Sequence, residues 1–360
     1  MGYEIDFLAV GEGEKSGDAI ALRFGNLAGP QSEQTVWVID GGTKESGESL
    51  VAHLRNYYGT KRVDAVISTH PDADHSSGLT VVLEQMEVGR LFMHQPWNHA
   101  DGIRALFADG RMSVSGLEER VWRALENARE LEKLANAKKI PIVEPFSDTS
   151  PLVLSPSKAF YEQQLASFRC MPEAAMKARM AKLLEAAWAA VKEAAKAIES
   201  WFVETLADPE PDATSAENNS SVVLLLEMDG KRFLFTADAG VPALTEAADR
   251  ADALGIDLKT VKYVQVPHHG SRRNVGPTIL NRIIGQITEQ ETYDKTGFIS
   301  AAKDGYPKHP AKKVVNAFKR RGAKMYATQG KALWQHSDDA PKREGWNAAT
   351  ELPFYEEVDD

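Results

Sequence analysis

The chain has 360 residues and a formal net charge of −10, which argues against a simple basic protein that coats nucleic acid. Its hydrophobic content of 43% is ordinary for a globular protein with a sizeable core. The single cysteine, Cys170, excludes a disulfide framework and a cysteine-based zinc site, so a metal site must use histidines and carboxylates. The sequence shows neither a signal-peptide pattern nor an apolar run near the ~20 residues that span a bilayer. We therefore expect no membrane association and a cytoplasmic location.

Short runs of β-branched and aromatic residues predict several strands in the first part of the chain. These strands are Tyr3 to Val10, Ala19 to Phe24, Thr35 to Asp40, Val63 to Ser68 and Arg90 to His94. Apolar residues at helical spacing predict helices over Glu45 to Tyr58, near Leu79 to Glu87, and over Gly116 to Lys139.

Residues from about 157 to 215 differ in composition and predict a helical insertion. The stretch from Pro172 to Trp201 is rich in Ala, Lys, Glu and Met, and would form a helix of ~30 residues and ~45 Å. Such a helix can pack on its own domain, serve as a substrate lid, or bind a second copy or a partner protein through residues 173–201.

A short strand is predicted at Leu152 to Leu154, before the insertion, and a second β pattern follows the insertion. Its predicted strands are Ser221 to Met228, Arg232 to Thr236, Val261 to Val266, Gly297 to Ala301, Lys324 to Thr328 and Ala332 to Gln335. Helices are predicted over Val241 to Leu254, Pro277 to Ile284 and Pro310 to Arg321. Two β-rich halves with outer helices predict an α/β fold, a four-layer αββα sandwich that forms one domain over residues 1–360.

The stretch at 63–79 contains the densest cluster of potential metal ligands in the sequence. An apolar strand ends in a turn with four potential metal ligands: His70, Asp72, Asp74 and His75. Carboxylates this close to a core repel each other and are costly to bury unpaired, and a divalent cation removes both problems. The turn therefore predicts a metal site.

Two later strands also end in metal-ligand residues. Thr236-Ala237 is followed by Asp238, and Val266-Pro267 is followed by His268 and His269. Because ligands bind outside strand ends in α/β folds, we expect these loops to converge with the turn at 70–75 on one edge.

With these motifs the sequence resembles the metallo-β-lactamase superfamily of metallohydrolases. His70-Pro71-Asp72-Ala73-Asp74-His75 is similar to its H-x-H-x-D-H motif, and Thr236-Ala237-Asp238 to its strand-end T-G-D. More narrowly, the chain resembles the metallohydrolase domain of the ComEC DNA-uptake proteins. The residues that carry this likeness are Val10 to Gly13, Gly17-Asp18, Ile39 to Gly42, Thr69 to His75, Asn218 to Ser221, Pro267 to Ser271 and Tyr306 to Pro310.

The resemblance implies two divalent cations, zinc or manganese, that activate a hydroxide and stabilise an in-line displacement at phosphorus. One ion would take His70, Asp72 and Asp238, and the other Asp74, His75, Asp238 and His269. His269 is the preferred ligand of its pair, with His268 beside it or as a proton donor, and the reverse assignment stays open. The superfamily's third histidine is replaced here by Asn218 or Asn219.

Several further side chains suit a phosphate substrate, so we place Arg272, Arg273, Lys303, Lys308 and Asn219 at the substrate site. Catalytic roles are assigned to Asp74, His268 and His309, with His309 as the candidate acid for a leaving alkoxide. The sequence thus predicts a two-metal phosphodiesterase, most simply a nuclease acting on DNA. A small-molecule phosphoester or lactone hydrolase, or a non-catalytic binding or regulatory protein on the same fold, remains an alternative.

Overall fold

Two β-sheets face each other in the computed structural model, which describes residues 2–11, 16–107, 112–147, 152–172, 197–210, 212–304 and 309–358. The first sheet has seven strands. In spatial order they are β16 (Leu333–His336), β1 (Gly2–Phe7), β2 (Ala19–Gly25), β3 (Gln34–Gly41), β5 (Ala65–Ile67), β7 (Leu91–Phe92) and β8 (Ile142–Val143). The strands from β16 to β3 pair antiparallel, and those from β3 to β8 pair parallel.

The second sheet has six strands and comes from the later part of the chain. In spatial order they are β15 (Ala323–Ala327), β14 (Lys295–Ile299), β13 (Tyr263–Gln265), β12 (Lys231–Phe235), β11 (Val223–Met228) and β9 (Val153–Ser155). The four strands from β15 to β12 are parallel. Two small sheets pair β4 (Arg62–Val63) with β6 (Glu87–Val88), and β10 (Ala197–Ile198) with β17 (Glu357–Val358).

Helices cover the outer faces of both sheets. In chain order they are α1 (Lys44–Tyr57), α2 (Ala73–Ser76), α3 (Leu79–Gln85), α4 (Ala100–Arg104), α5 (Val114–Ala124), α6 (Glu126–Lys138), α7 (Lys158–Leu165), α8 (Ala216–Asn219), α9 (Val241–Ala253), α10 (Pro277–Ile283) and α11 (Lys312–Arg320). Among the residues that the structure describes, none of these helices has the length and apolar character needed to cross a bilayer.

Three hydrophobic clusters correspond to the three interfaces between four layers. One packs α1, α3, α5 and α6 on the first sheet, and a second packs α9, α10 and α11 on the second sheet. The third lies between the sheets, where Phe7 stacks on Phe298 with ring centroids 5.0 Å apart. The α/β fold with an αββα sandwich is confirmed.

The carboxyl ends of the parallel strands lie at the same edge of each sheet. Val38, Val66 and Leu91 lie in register across β3, β5 and β7, so the chain leaves all three strands at the same edge. In the second sheet β12 and β13 are likewise parallel, and they lead to Asp238 and His268. The fold therefore gathers the polar segments that follow these strands.

The range from Gly116 to Lys139 is helical as predicted, except for one break. The chain forms α5 and α6, separated at Leu125, whose φ of −99° and ψ of 66° are not helical. The break lets two apolar faces reach one core, because Val121 of α5 and Leu131 of α6 are both fully buried. Tertiary packing outweighs local helix propensity here.

The helix predicted over Pro172 to Trp201 does not reach its expected end. Ala197–Ile198 is a strand paired with β17, and Glu199 just after it is buried against Arg320. Residues 173–196, and with them most of the predicted partner-binding helix, lie outside the described residues. The single domain and the helical insertion at 157–215 remain predictions.

Candidate metal centre

The turn after β5 carries two buried histidines. Thr69 and His70 directly follow the strand, and α2 then presents Asp74 and His75 within a single turn of helix. The side chains of His70 and His75 are 0% exposed, and their ring centroids lie 4.2 Å apart. The two histidines of this turn therefore lie side by side in the protein interior.

The carboxylate of Asp40, at the end of β3, orients both imidazoles. Its Oδ2 atom accepts hydrogen bonds from Thr69 Oγ1 at 2.6 Å and from His75 Nδ1 at 2.9 Å. Since the Thr69 hydroxyl donates to Asp40, its oxygen accepts from His70 Nδ1 at 3.0 Å. Both rings thus carry a proton on Nδ1, which leaves Nε2 as the atom that can bind a metal ion, as in metal-binding histidines.

The loop after β13 brings two more histidines from the second sheet. His268 and His269 both have positive φ angles, 46° and 58°, which is strained for residues other than glycine. His269 Nδ1 donates to the carbonyl oxygen of Ser300 at 2.7 Å. His268 Nδ1 donates to Asn274 Oδ1 at 2.8 Å, and Asn274 Nδ2 in turn donates to the carbonyl oxygen of Asp238. These two rings also present Nε2.

The four Nε2 atoms divide between the two oxygens of Asp238. Oδ1 lies 3.4 Å from His75 Nε2 and 3.8 Å from His269 Nε2. Oδ2 lies 3.8 Å from His70 Nε2 and 3.5 Å from His268 Nε2. A single carboxylate is therefore flanked by two pairs of imidazole lone pairs, one pair at each oxygen.

The donor set fits divalent cations. Among the described residues, His70 Nε2, His75 Nε2, His269 Nε2 and Asp238 Oδ1 are buried atoms without a hydrogen-bond partner. Unpartnered buried nitrogen lone pairs around a buried carboxylate are costly, and imidazole and carboxylate are ligands that Zn²⁺ and Mn²⁺ accept. Asp74 can complete the group at Oδ1, because its ligand atom and those of His75 and His269 lie within 4.8 Å of one another.

The acid–base properties of the cluster agree with this fit. Burial lowers the pKa of His70 and lowers the pKa of His269 to about 4, so both rings are neutral near pH 7. Burial also lowers the pKa of His75, but the charges of Asp238 and Asp40 outweigh it and raise that pKa well above the ordinary value. A cation bound at His75 Nε2 must displace a proton, so metal affinity should rise with pH.

The remaining predicted ligand, Asp72, lies at the rim. Its side chain is 31% exposed and its Oδ2 atom is 3.8 Å from Arg169 Nη2. The groups of ligand atoms that the described residues bring together do not include Asp72. Its role as a ligand remains a prediction.

The two asparagines that replace the superfamily's third histidine differ in position. Asn218 Nδ2 donates to Asp238 Oδ2 at 3.3 Å, so it faces the centre as a hydrogen-bond donor. Asn219 is 3% exposed; its amide donates to the carbonyl oxygen of Thr214 and accepts from Gly240 N. This placement favours a structural role for Asn219 over the predicted contact with substrate.

Three of the predicted phosphate-binding residues line two separate surface clefts. Arg272 and Arg273 are exposed and line a cleft of about 550 Å³, whose wall also carries Asp208, Glu210 and Asp212. Lys303 is exposed on a different cleft, and Lys308 lies outside the described residues.

The candidate general acid His309 lies next to the second histidine pair. Its ring centroid is 6.3 Å from that of His268 and 6.5 Å from that of His269. Burial lowers the pKa of His309 to about 4. The ring is thus neutral near pH 7 in the protein without substrate, which does not favour a resting general acid.

Asp40 and Asp18 act at the centre but were not among the predicted site residues. Asp18 Oδ2 accepts from Gln265 Nε2 at 2.7 Å and lies 3.6 Å from His75 Nδ1, and burial raises the pKa of Asp18 to about 7. The available signal was the placement of each aspartate: Asp40 ends a strand before Gly41-Gly42, and Asp18 immediately precedes one. Only the strand order shows that both face His75.

One comparison with known proteins covers the segment that holds the first candidate ligands. Residues 31–91 match the family model described as the metallo-beta-lactamase superfamily, and this segment contains Asp40, His70 and His75. Over this segment the chain is similar to that superfamily.

The chain is also similar to individual proteins, at low sequence identity. ComE operon protein 3 of Bacillus subtilis (strain 168) is 27% identical over 128 residues, which are 36% of this chain and 15% of that protein. A mutant of CmlA beta-hydroxylase has 12% identity and a TM-score of 0.40, over 93% of this chain and 54% of that one. The metallo-beta-lactamase SMB-1 has 12% identity and a TM-score of 0.28, over 74% and 82%.

Proposed function

We propose that the chain is a two-metal phosphodiesterase that cleaves DNA. The observation that carries this proposal is the division of four imidazole lone pairs between the two oxygens of Asp238. One carboxylate with ligands on both sides suits a pair of bridged cations. Such a pair supplies a nucleophilic hydroxide and neutralises the charge that develops during displacement at phosphorus.

The protein's own side chains would have distinct roles. His70, His268 and Asp238 Oδ2 would hold one ion, with Asp72 as a further ligand from the rim. Asp74, His75, His269 and Asp238 Oδ1 would hold the other. This arrangement treats both His268 and His269 as ligands, because Asn274 fixes the His268 proton on Nδ1. Asp40 would maintain the orientation of His70 and His75.

DNA as the substrate is supported by two features. The chain shares a 128-residue segment with ComE operon protein 3, and it resembles the metallohydrolase domain of DNA-uptake proteins. Arg272 and Arg273 follow His269 closely and are exposed, so their guanidinium groups suit phosphate oxygens near the centre. A cytoplasmic location and the choice between zinc and manganese belong to this proposal.

The cleft lined by Arg272 and Arg273 favours a second candidate. Three carboxylates, those of Asp208, Glu210 and Asp212, line it together with the two arginines and Lys313, and the net charge of the chain is −10. Mixed charge suits a small phosphoester better than a long polyanion. A small-molecule phosphoester hydrolase is therefore the alternative function.

Elemental analysis and activity assays test the proposal together. We expect about two zinc or manganese ions per chain, cleavage of a bis-aryl phosphate, and cleavage of linear or single-stranded DNA. His75→Ala should lower both activities by at least about a hundred-fold, whereas His336→Ala, at an exposed histidine of β16, should not.

The outcomes separate the two candidates. Cleavage of the bis-aryl phosphate without cleavage of any DNA would favour the small-molecule hydrolase. Absence of bound metal after loading, or full activity in His75→Ala, would contradict the metal centre itself.

A further inference from the structure

The turn after α7 places an arginine at the mouth of the metal centre. Phe168 and Met171 anchor this turn in the core. Arg169 lies between them, and its backbone N–H donates to the buried carboxylate of Glu217 at 2.7 Å. The position of Arg169 is therefore set by its backbone, independently of its guanidinium group.

The guanidinium group contacts two carboxylates, those of Asp72 and Glu217. Arg169 Nη2 lies 3.8 Å from Asp72 Oδ2, and Arg169 Nε lies 3.3 Å from Glu217 Oε1. Asp72 is two residues from His70, and the neighbour of Glu217, Asn218, donates to Asp238 Oδ2. Both residues that hold the guanidinium thus belong to segments that also contact the metal centre.

A structural role accounts for only part of this side chain. Its Nε contacts the buried carboxylate of Glu217, but the side chain is 74% exposed and its contact with Asp72 is long at 3.8 Å. The turn is already fixed by the backbone bond to Glu217 and by two buried side chains. A planar guanidinium held at the rim of a cation site, with its remaining donors facing solvent, suits bidentate contact with a phosphate.

We propose that Arg169 binds the phosphate oxygens of the substrate at the mouth of the metal centre. The contact comes from the segment that follows α7, in the first half of the chain, whereas the predicted basic residues all follow β13. The inference rests on the proposed phosphodiesterase function, whose substrate would lie between Arg169 and the cations.

Phosphate binding provides a test that does not depend on turnover. Inorganic phosphate is titrated calorimetrically into the metal-loaded full chain, and kcat/KM for a bis-aryl phosphate is measured in parallel. Arg169→Ala should weaken phosphate binding and lower kcat/KM, each by about ten-fold or more, and Arg169→Lys should recover part of both losses. Metal content and thermal unfolding should match the unsubstituted protein.

A matched control is Arg62→Ala. Arg62 is 69% exposed and pairs with Asp64, but it lies on β4, before the strand that leads to the centre. This variant should bind phosphate as the unsubstituted protein does.

Each outcome decides between the proposals. Equal phosphate affinity in Arg169→Ala and the unsubstituted protein, or no phosphate binding at all, would overturn the assignment of Arg169. Weaker phosphate binding in Arg169→Ala together with no cleavage of any diester would support the anion contact and contradict the phosphodiesterase function.

Discussion

Asp40 determines the protonation pattern of two imidazoles at once. Its Oδ2 atom accepts hydrogen bonds from Thr69 Oγ1 and from His75 Nδ1. The Thr69 oxygen in turn accepts from His70 Nδ1, so the orientation of His70 also depends on Asp40. Such outer carboxylates fix the tautomer and ring orientation of metal ligands. One side chain therefore affects a histidine in each of the two proposed ligand sets.

Asp40→Asn should weaken metal binding by about 10- to 100-fold. The amide places an N–H group where Oδ2 now accepts two protons, so His75 must move or shift its proton to Nε2. Calorimetric titration with Zn²⁺ and Mn²⁺ measures the change.

Asp6→Asn is the matched control for Asp40→Asn. Asp6 is also a fully buried carboxylate that contacts a histidine, with Asp6 Oδ2 3.1 Å from His53 Nε2. Its bonded partners are His53, Tyr58 and Arg343, none of which belongs to the metal centre. Equal losses of metal affinity in both variants would contradict the specific role of Asp40.

The candidate site was predictable where one short segment carries the chemistry. His70, Asp74 and His75 are close in sequence, and the structure brings them together with Asp238 and His269. The orientation of His268 was not predictable, since it depends on Asn274 and on a backbone with positive φ. Hydrogen-bond geometry of this kind is set by tertiary contacts that leave no local pattern.

At the scale of elements, the end of α11 binds the segment from residue 199 to residue 203 through Arg320. Arg320 is fully buried and pairs with Glu199 at 3.0 Å, and it also donates to the carbonyl oxygens of Ser200, Trp201 and Val203. The carboxylate and carbonyl partners of Arg320 allow this guanidinium group to be buried.

Arg320→Ala should lower the free energy of unfolding by about 3 to 5 kcal/mol, because Glu199 would remain buried without its charge partner. Urea unfolding measures this loss. Arg282→Ala is the control, since Arg282 forms ion pairs with Asp249 and Asp252 at the surface and should cost less than about 1 kcal/mol. Similar losses in the two variants would contradict the importance of burial.

Helices and strands were predicted correctly where the apolar residues recur at regular spacing and are buried in the structure. The helix from Lys44 to Tyr57 and the hairpin from Val223 to Phe235 lie close to their expected limits. The break at Leu125 has no glycine or proline to mark it. It arises from packing against a shared core, which local propensity does not encode.

At the scale of the whole molecule, the C-terminal segment is tied to the first strand by charge. Arg343 pairs with Asp6 at 2.6 Å and with Glu4 at 2.8 Å, and all three side chains are buried. Burial alone raises the pKa of Asp6, but hydrogen bonds from His53 and Arg343 outweigh burial and lower that pKa. The ionised form of Asp6 therefore stabilises the folded state.

This linkage predicts loss of stability in acid. A carboxyl group with a lowered pKa in the folded state contributes fully above its unfolded pKa of about 3.9, and the contribution is lost as the pH falls towards the folded value. Urea unfolding between pH 6 and pH 3, chosen as roughly the range of carboxyl titration, should show a shallower decline in Asp6→Asn than in the unsubstituted protein. Parallel declines would contradict the assignment.

The four-layer architecture followed from the order of strands and helices, since two β-rich halves with outer helices allow few alternatives. The order of elements did not, however, show which strands belong to which sheet. β16 comes from the end of the second half yet pairs with β1, with Glu4 opposite His336. The pairing of β16 depends on the free edge of β1 in the first sheet, and no local sequence pattern specifies this partner.

The pairing of β1 with β16 has a consequence for how the chain acquires its structure. During synthesis β1 emerges before β16, and one edge of β1 stays open until residues 333–336 have left the ribosome. An open strand edge invites pairing with other chains, and contacts between such distant residues slow folding. We expect the two halves to complete folding together, and truncated or prematurely terminated chains to aggregate rather than to persist as native-like halves.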